Sequence, residues 1–367
     1  MAKTSRVWFV VDDQEEVDAY CDTFNEVVEE SGFEWKRMNP SEVGDRLFSR
    51  TRERIAGVLV DIDLSSDPGT KGTGLGVAQD LRAKQKSGSV ADYPLVRFAN
   101  PVPVGRFVGA DPVSNDLFDL LVSKESARKD AVAVTRRCIA LTAIYDELLA
   151  RRSFTEKRFS EMCGLTLKQY ELWSDERLFQ RMQAGMAKGA GAVHVGAGAF
   201  VRTFLEPAGL LIDEDLVAVR LGVDAIRSGA SWKALLSRIN SAAYRGVGSE
   251  AFNRWWARGL DAFWYSIDKE SFLQELTAAE RVERLCARFK LRSLVALSDS
   301  QRRFWRLCAL SRERGRLVPI DPRGAISLVP AVVREPWLDP EQAALDVALM
   351  HKDDVRLDKN DLKRFAI

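Results

Sequence analysis

Val7-Trp8-Phe9-Val10-Val11-Asp12-Asp13 is an apolar run that stops abruptly on two acids. All five apolar residues are β-branched or aromatic, and none alternates with a polar one, the pattern of a strand buried on both faces. Strands of that kind belong to parallel sheets covered by helices, whose ligands bind at the carboxyl ends of the strands. Asp12 and Asp13 stand at such an end.

The pattern then recurs. Val17, Tyr20, Cys21, Phe24, Val27 and Val28 repeat at helical spacing, Gly32 closes that helix, and Phe33–Met38 alternates like an edge strand. A second buried run over 55–64 contains Val58, Leu59 and Val60 and meets Asp61 and Asp63. A helix over about 75–86, a strand at 94–98 and another at 118–122, followed by Ser123 and Lys124, complete the alternation. The expected fold class is therefore α/β: a flavodoxin-like, doubly wound, five-stranded parallel sheet over residues 1–124, followed by a mainly α-helical second domain.

Asp12, Asp13, Asp61 and Lys124 all fall at strand ends, and there the sequence becomes specific. V-V-D-D-Q (10–14), V-L-V-D-I-D-L (58–64) and L-L-V-S-K (120–124), in that order, resemble the acidic pair, the phosphoacceptor strand and the lysine strand of the receiver domains of two-component response regulators. The resemblance covers residues 1–124. It implies that Asp61 accepts a phosphoryl group from a histidine kinase, that Asp12, Asp13 and Asp61 bind Mg²⁺, and that Lys124 contacts the phosphoryl group, with Asp63 flanking the site. The chemistry is consistent: clustered carboxylates ionise together only around a cation, and an all-oxygen set suits Mg²⁺. An aspartate attacking phosphorus needs positive charge against the phosphoryl oxygens. Such a protein is a self-modifying switch, not a turnover enzyme. The competing structural reading of the acids is that they cap the helices that follow.

Three positions depart from the family pattern. Ala99 stands where receivers carry a Ser or Thr that bonds the phosphoryl group, and Glu125 stands where proline usually follows the lysine, so a trans peptide is expected there. The loop after Asp61, S-S-D-P-G-T-K-G-T-G-L (65–75), is longer than usual; it lacks the order of a phosphate loop, because Lys71 precedes the final glycines. Two readings follow, a phosphorylated switch and a pseudo-receiver that keeps the shape without the chemistry. The second is analogous to receiver-like scaffolds in phage-defence complexes.

The rest of the chain carries weaker signals. Residues 1–124 hold 15 Lys and Arg against 21 Asp and Glu, leaving 39 against 32 for the remainder, so an acidic front precedes a mildly basic back. The back could meet the front, or an anionic partner such as nucleic acid, though the excess is small for the latter. Five cysteines at wide spacing disfavour a disulfide framework, and the two histidines, His194 and His351, sit in no metal-binding motif. No segment reaches the roughly 20 apolar residues that cross a bilayer, and a cytoplasmic location is expected. Residues 125–163 read as one long helical region whose stripe, Val134, Cys138, Leu141, Ile144 or Tyr145 and Leu148, serves core packing, a linker or a homodimer seam.

Residues 164–367 read as a mainly helical domain of unknown type. Phe252, Trp255, Trp256, Leu260, Phe263, Trp264 and Ile267 are expected on one helical face as its core. Small residues around His194 suggest a close helix contact, and no nucleophile motif accompanies that histidine. Residues 216–238 invite a helix-turn-helix reading, and with it a DNA-binding output, but Ser228, Ser231 and Gly229 fit a recognition helix poorly. Arg302, Arg303, Arg306, Arg312, Arg314 and Arg316, interleaved with Phe304, Trp305 and Leu307, are expected on an amphipathic helix with a basic face. A final helix is expected near 341–350.

Overall fold

The computed structural model describes residues 5–28, 32–48, 54–64, 73–100, 116–150, 154–186, 193–329 and 334–365. The chain forms two compact units: residues 1–166, 176–206 and 245–252 make the first, and 167–175, 207–244 and 253–367 the second. The first unit thus extends past the receiver-like segment and takes in two later pieces of chain.

Its sheet is built from β1 (Arg6–Val11), β2 (Phe33–Met38), β3 (Arg54–Val60), β4 (Leu95–Ala99) and β5 (Leu120–Ser123), interspersed with α1 (Val17–Val28), α2 (Val43–Leu47) and α3 (Gly74–Lys86). The order is β2-β1-β3-β4-β5 with every pairing parallel, the doubly wound topology expected from the sequence. Connections leave β1 toward opposite edges, so the switch point lies between β1 and β3. One face of the sheet buries Val7, Phe9 and Val11 against Leu47, Ala78 and Leu81. On the other, Trp8 stacks on Trp35 with ring centroids 5.2 Å apart, and Phe24 of α1 packs on Trp35 at 4.9 Å. Gly57 makes room for this: a β-carbon there would lie 2.3 Å from the Trp8 ring.

The continuous helix expected over 125–163 is instead three, α4 (Lys124–Lys129), α5 (Ala131–Leu149) and α6 (Glu156–Met162). Asp130 leaves the helix at φ −150°, ψ 76° and its carboxylate caps α5 by accepting from Ala133 N at 2.9 Å. Short polar side chains offer the backbone this local alternative. The apolar stripe of α5 is consumed within the unit: Val134, Cys138, Leu141, Ile144, Tyr145 and Leu148 are each 5% exposed or less. The Thr142 hydroxyl donates to the Ala56 carbonyl of β3 at 3.2 Å. As a dimer seam this stripe is already covered. The helices Glu176–Met186 and Val193–Phe200 meet at Gly185 and Gly196, where a β-carbon on Gly196 would lie 2.9 Å from Met186 Sδ, the close contact expected around His194.

The second unit is mainly helical, with three antiparallel pairs of two-residue strands among the described residues. Its sequence-based expectations need correction. The aromatic set is largely core but not one helix: Trp255–Trp256 are extended and pair with Leu211–Ile212, and the helix Ala257–Tyr265 begins only after them, burying Leu260 and Trp264. Adjacent tryptophans suit a pleated strand as well as a helix. The helical stretch expected after the turn is interrupted: past Gly222 (φ 73°) the helix Ala225–Ser228 is one turn long and stops at Gly229 (φ 49°), and a separate helix, Ala230–Arg238, starts beyond it. Ser228 is buried and its Oγ accepts from Val295 N at 2.9 Å.

The basic cluster is not an amphipathic helix either. Trp305 N donates to Ile320 O at 3.0 Å and Cys308 N to Val318 O at 2.8 Å, which holds Phe304 to Leu307 extended; helix is confined to Ala309–Arg312. Of the expected final helix, Gln342–Ala343 is strand and Leu345–Met350 helix. The five cysteines are free, and among the described residues no helix is long and apolar enough to cross a membrane.

Candidate functional site

The sheet's own hydrogen bonds place the acids. Asp12 N donates to Met38 O at 3.3 Å and Asp61 N to Val11 O at 3.0 Å, so the ladders of β1 and β3 continue one residue past each strand and end on a carboxylate at the switch point. Lys124 opens α4 straight after β5, where Ser123 caps the helix by accepting from Ser126 N at 2.9 Å. The Lys124–Glu125 peptide is trans, as no cis bond occurs among the described residues.

The ammonium of Lys124 bridges the two acids, with Nζ 2.7 Å from Asp12 Oδ2 and 2.6 Å from Asp61 Oδ2. Asp12 is fully buried, and Asp61 and Lys124 are each 7% exposed. Gln14 N donates to Asp12 Oδ1 at 2.9 Å and Asp63 N to Asp61 Oδ1 at 3.3 Å. A cavity of about 450 Å³ opens beside the bridge, and its lining includes Asp13, Asp61, Arg97, Ala99, Lys124 and Arg128. Ala99, where a hydroxyl would stand in the receiver pattern, pairs with Ser123 across the β4/β5 ladder.

The electrostatics follow from burial and the bridge. Burial pushes the Asp12 carboxyl above its usual range, against the pull of Lys124. Burial also disfavours the Lys124 ammonium, but its close contacts with the carboxylates of Asp12 and Asp61 outweigh this and raise its pKa above the usual value. Arg97 is shifted down by burial, and the charge of Asp61 opposes that shift. Burying charges is tolerable here because each has an opposite partner.

The four residues singled out in the sequence divide unevenly. Asp12, Asp61 and Lys124 come together; Asp13 lines the same cavity but its Oδ1 accepts from Gln14 Nε2 at 3.0 Å. Among the described residues no three His, Cys, Asp or Glu side chains gather in a group that could hold a metal. The donor chemistry still suits a hard cation, since every donor is a carboxylate oxygen and the buried Asp12 Oδ2 meets Lys124 without an aligned hydrogen bond. Residues 65–72 of the long loop lie outside the described residues. Sequence reasoning missed Arg97 and Arg128 as lining residues, although Arg97 is a lone charge inside the apolar strand L-V-R-F-A.

No family model and no curated protein matches the chain. Among solved structures, a response regulator receiver domain protein from Clostridium thermocellum is 15% identical, covering 36% of this chain and 94% of its own, with a TM-score of 0.27. A bacteriophytochrome response regulator is 22% identical over 33% of this chain and 82% of its own, with a TM-score of 0.26. The phosphorylated cyanobacterial phytochrome response regulator is 16% identical over 36% and 89%, also with a TM-score of 0.26. These three response regulator structures match the N-terminal third of the chain. The remainder of the chain has no such counterpart.

Proposed function

We propose that the first unit is a phosphoryl-accepting receiver in a two-component-type signalling protein, with Asp61 as the acceptor and the helical second unit as the part that meets a partner. The observation that carries this reading is the Lys124 ammonium 2.6 Å from an Asp61 carboxylate that lines a cavity at the switch point of a parallel sheet. An Asp61 oxygen would attack the phosphorus of a phosphohistidine; the new O–P bond forms as the P–N bond breaks, and its electron pair leaves with the imidazole. Lys124 then turns its charge to the phosphoryl oxygens. Asp12, fully buried, keeps the lysine in place. Arg97, two residues before Ala99 on the same strand face, supplies a charged contact on the side where the hydroxyl is missing. Mg²⁺, when held by Asp12, Asp13 and Asp61, would add positive charge against the same oxygens. The protein performs no turnover beyond gaining and losing its own phosphoryl group.

A second reading is favoured by Ala99, which offers no hydroxyl to a phosphoryl group: a pseudo-receiver scaffold in a larger protein complex, by analogy with receiver-like scaffolds in phage defence. Incubation with Mg²⁺ and acetyl phosphate followed by intact mass separates the two. Gain of one phosphoryl group by the natural chain and none by Asp61→Ala supports the switch. No gain by either, or equal gain by both, removes it and leaves the scaffold. The DNA-binding alternative gains no support, because the second helical stretch of residues 216–238 is broken at Gly229 instead of running on as one recognition helix.

A further inference from the structure

We infer that a groove in the second unit docks a lysine- or arginine-bearing amphipathic segment of a partner protein. The groove has a volume of about 970 Å³, and Val219, Phe304, Leu307 and Ile320 belong to its apolar lining. Five carboxylates line it as well, Asp215, Asp224, Asp299, Asp321 and Asp346, against one guanidinium, Arg302. Arg302 is already paired with Asp299 at 3.7 Å.

This charge is not background. Residues 125–367 carry 39 Lys and Arg against 32 Asp and Glu, so the groove is acidic within a basic part of the chain. Three of the aspartates are engaged: Asp224 accepts from Arg227 N, Asp299 meets Arg302, and Asp321 holds Arg323. Among the described residues the carboxylates of Asp215 and Asp346 make no hydrogen bond or ion pair. Burial, followed by the charge of Asp213, pushes the Asp215 carboxyl up; Arg312 opposes this only in part and Glu214 adds to it, so a further cation placed there is favoured.

The apolar rim points the same way. Ile226, 91% exposed, and Leu317, 49% exposed, both border the groove. Large aliphatic side chains left in water beside an apolar depression gain by being covered. An apolar floor with a predominantly acidic rim fits a helix that presents apolar anchors on one face and cations flanking them. The acidic rim repels nucleic acid and anionic metabolites.

The test uses the full chain and a short fluorescent peptide of leucine and lysine at amphipathic-helix spacing, with a twin carrying glutamate for each lysine. Fluorescence anisotropy should show binding of the lysine peptide, weakening as salt rises, and none of the glutamate twin. Asp215→Asn with Asp346→Asn should weaken binding on the order of tenfold or more, whereas Glu283→Gln with Asp353→Asn, acids outside the groove, should leave it unchanged. Ile226→Lys, at an exposed position that does not endanger folding, should also abolish binding. Equal binding of both peptides, equal loss in the control pair, or no binding at all overturns the proposal. So does self-association of the natural chain that Ile226→Lys abolishes, which would assign the groove to a second copy.

Discussion

A β-carbon on Gly74 would lie 1.7 Å from the carbonyl oxygen of Asp61 and 2.9 Å from the α-carbon of Ile62. The first residue of α3 is thus seated on the backbone that carries the candidate acceptor, and Gly74 N donates to Ile62 O at 3.1 Å. Because both obstacles are backbone, no side-chain rotation relieves a clash. Gly74→Ala should displace α3 from the end of β3 and cost about 1–3 kcal/mol. Phosphoryl uptake at Asp61 should fall further than the lost stability explains. Urea denaturation and a phosphorylation time course read the two effects separately, and a natural midpoint in the variant would contradict the packing.

Lys124 holds two buried carboxylates, so its removal leaves both without their cation. Lys124→Met should cost about 3–5 kcal/mol at neutral pH, the range for breaking a buried ion pair from one side. The deficit should shrink in acid. A carboxyl whose pKa is raised on folding, as that of Asp12 is, loses stability as pH climbs from the ordinary value of 3.8 through the folded one, and the variant widens that window. Denaturation at neutral and acid pH measures this directly. Adding Asp12→Asn to the variant should recover part of the loss, and a pH-independent deficit would count against the bridge.

At the other pole of the sheet Asp119 Oδ2 accepts from Arg82 Nη2 at 2.8 Å, Tyr145 Oη at 2.8 Å and Leu95 N at 2.9 Å. This buried knot fastens α3, β4 and α5 to the start of β5. Asp119→Ala should cost about 3–5 kcal/mol because the buried Arg82 loses its counter-charge, and Tyr145→Phe about 1.5–3 kcal/mol for one bond to a charged acceptor. A double-mutant cycle should show the two effects to be non-additive, and additive values would deny the network.

The sheet was legible in the sequence because three of its five strands run straight into a charged residue: Asp12, Asp61 and Lys124 mark strand ends that the fold then brings together. The knot around Asp119 was not legible, since Arg82, Asp119 and Tyr145 lie on three elements and only their packing pairs them. In the second unit periodicity misled for a physical reason. A two-residue strand such as Trp255–Trp256 or Arg306–Leu307 is shorter than any repeat, so apolar spacing set by long-range pairing imitates a helical face. The return of residues 245–252 to the first unit leaves no pattern either. Its visible trace is Gly164, whose β-carbon would lie 2.5 Å from the Arg245 carbonyl carbon.

Asp213 should make the second unit acid-sensitive. Its carboxylate caps the helix Glu214–Leu221 by accepting from Leu216 N at 3.0 Å, pairs with Arg254 at 3.1 Å and meets Arg312. Burial pushes its pKa up, but the bond and charge of Arg312, the Leu216 amide and Arg254 together hold it below the usual 3.8. A carboxyl with a depressed folded pKa contributes stability above its unfolded value and loses it as pH falls through the folded one. Asp213→Asn keeps an acceptor for the cap but gives up the charge. The variant should therefore be less stable than the natural chain at neutral pH by about 1–3 kcal/mol, and the two should converge as the solution is taken down through the carboxylate range. Parallel denaturation curves across that range, monitored by tryptophan fluorescence, test it. A gap that stays constant to low pH would mean that the ion pairs of Asp213 contribute nothing to folding.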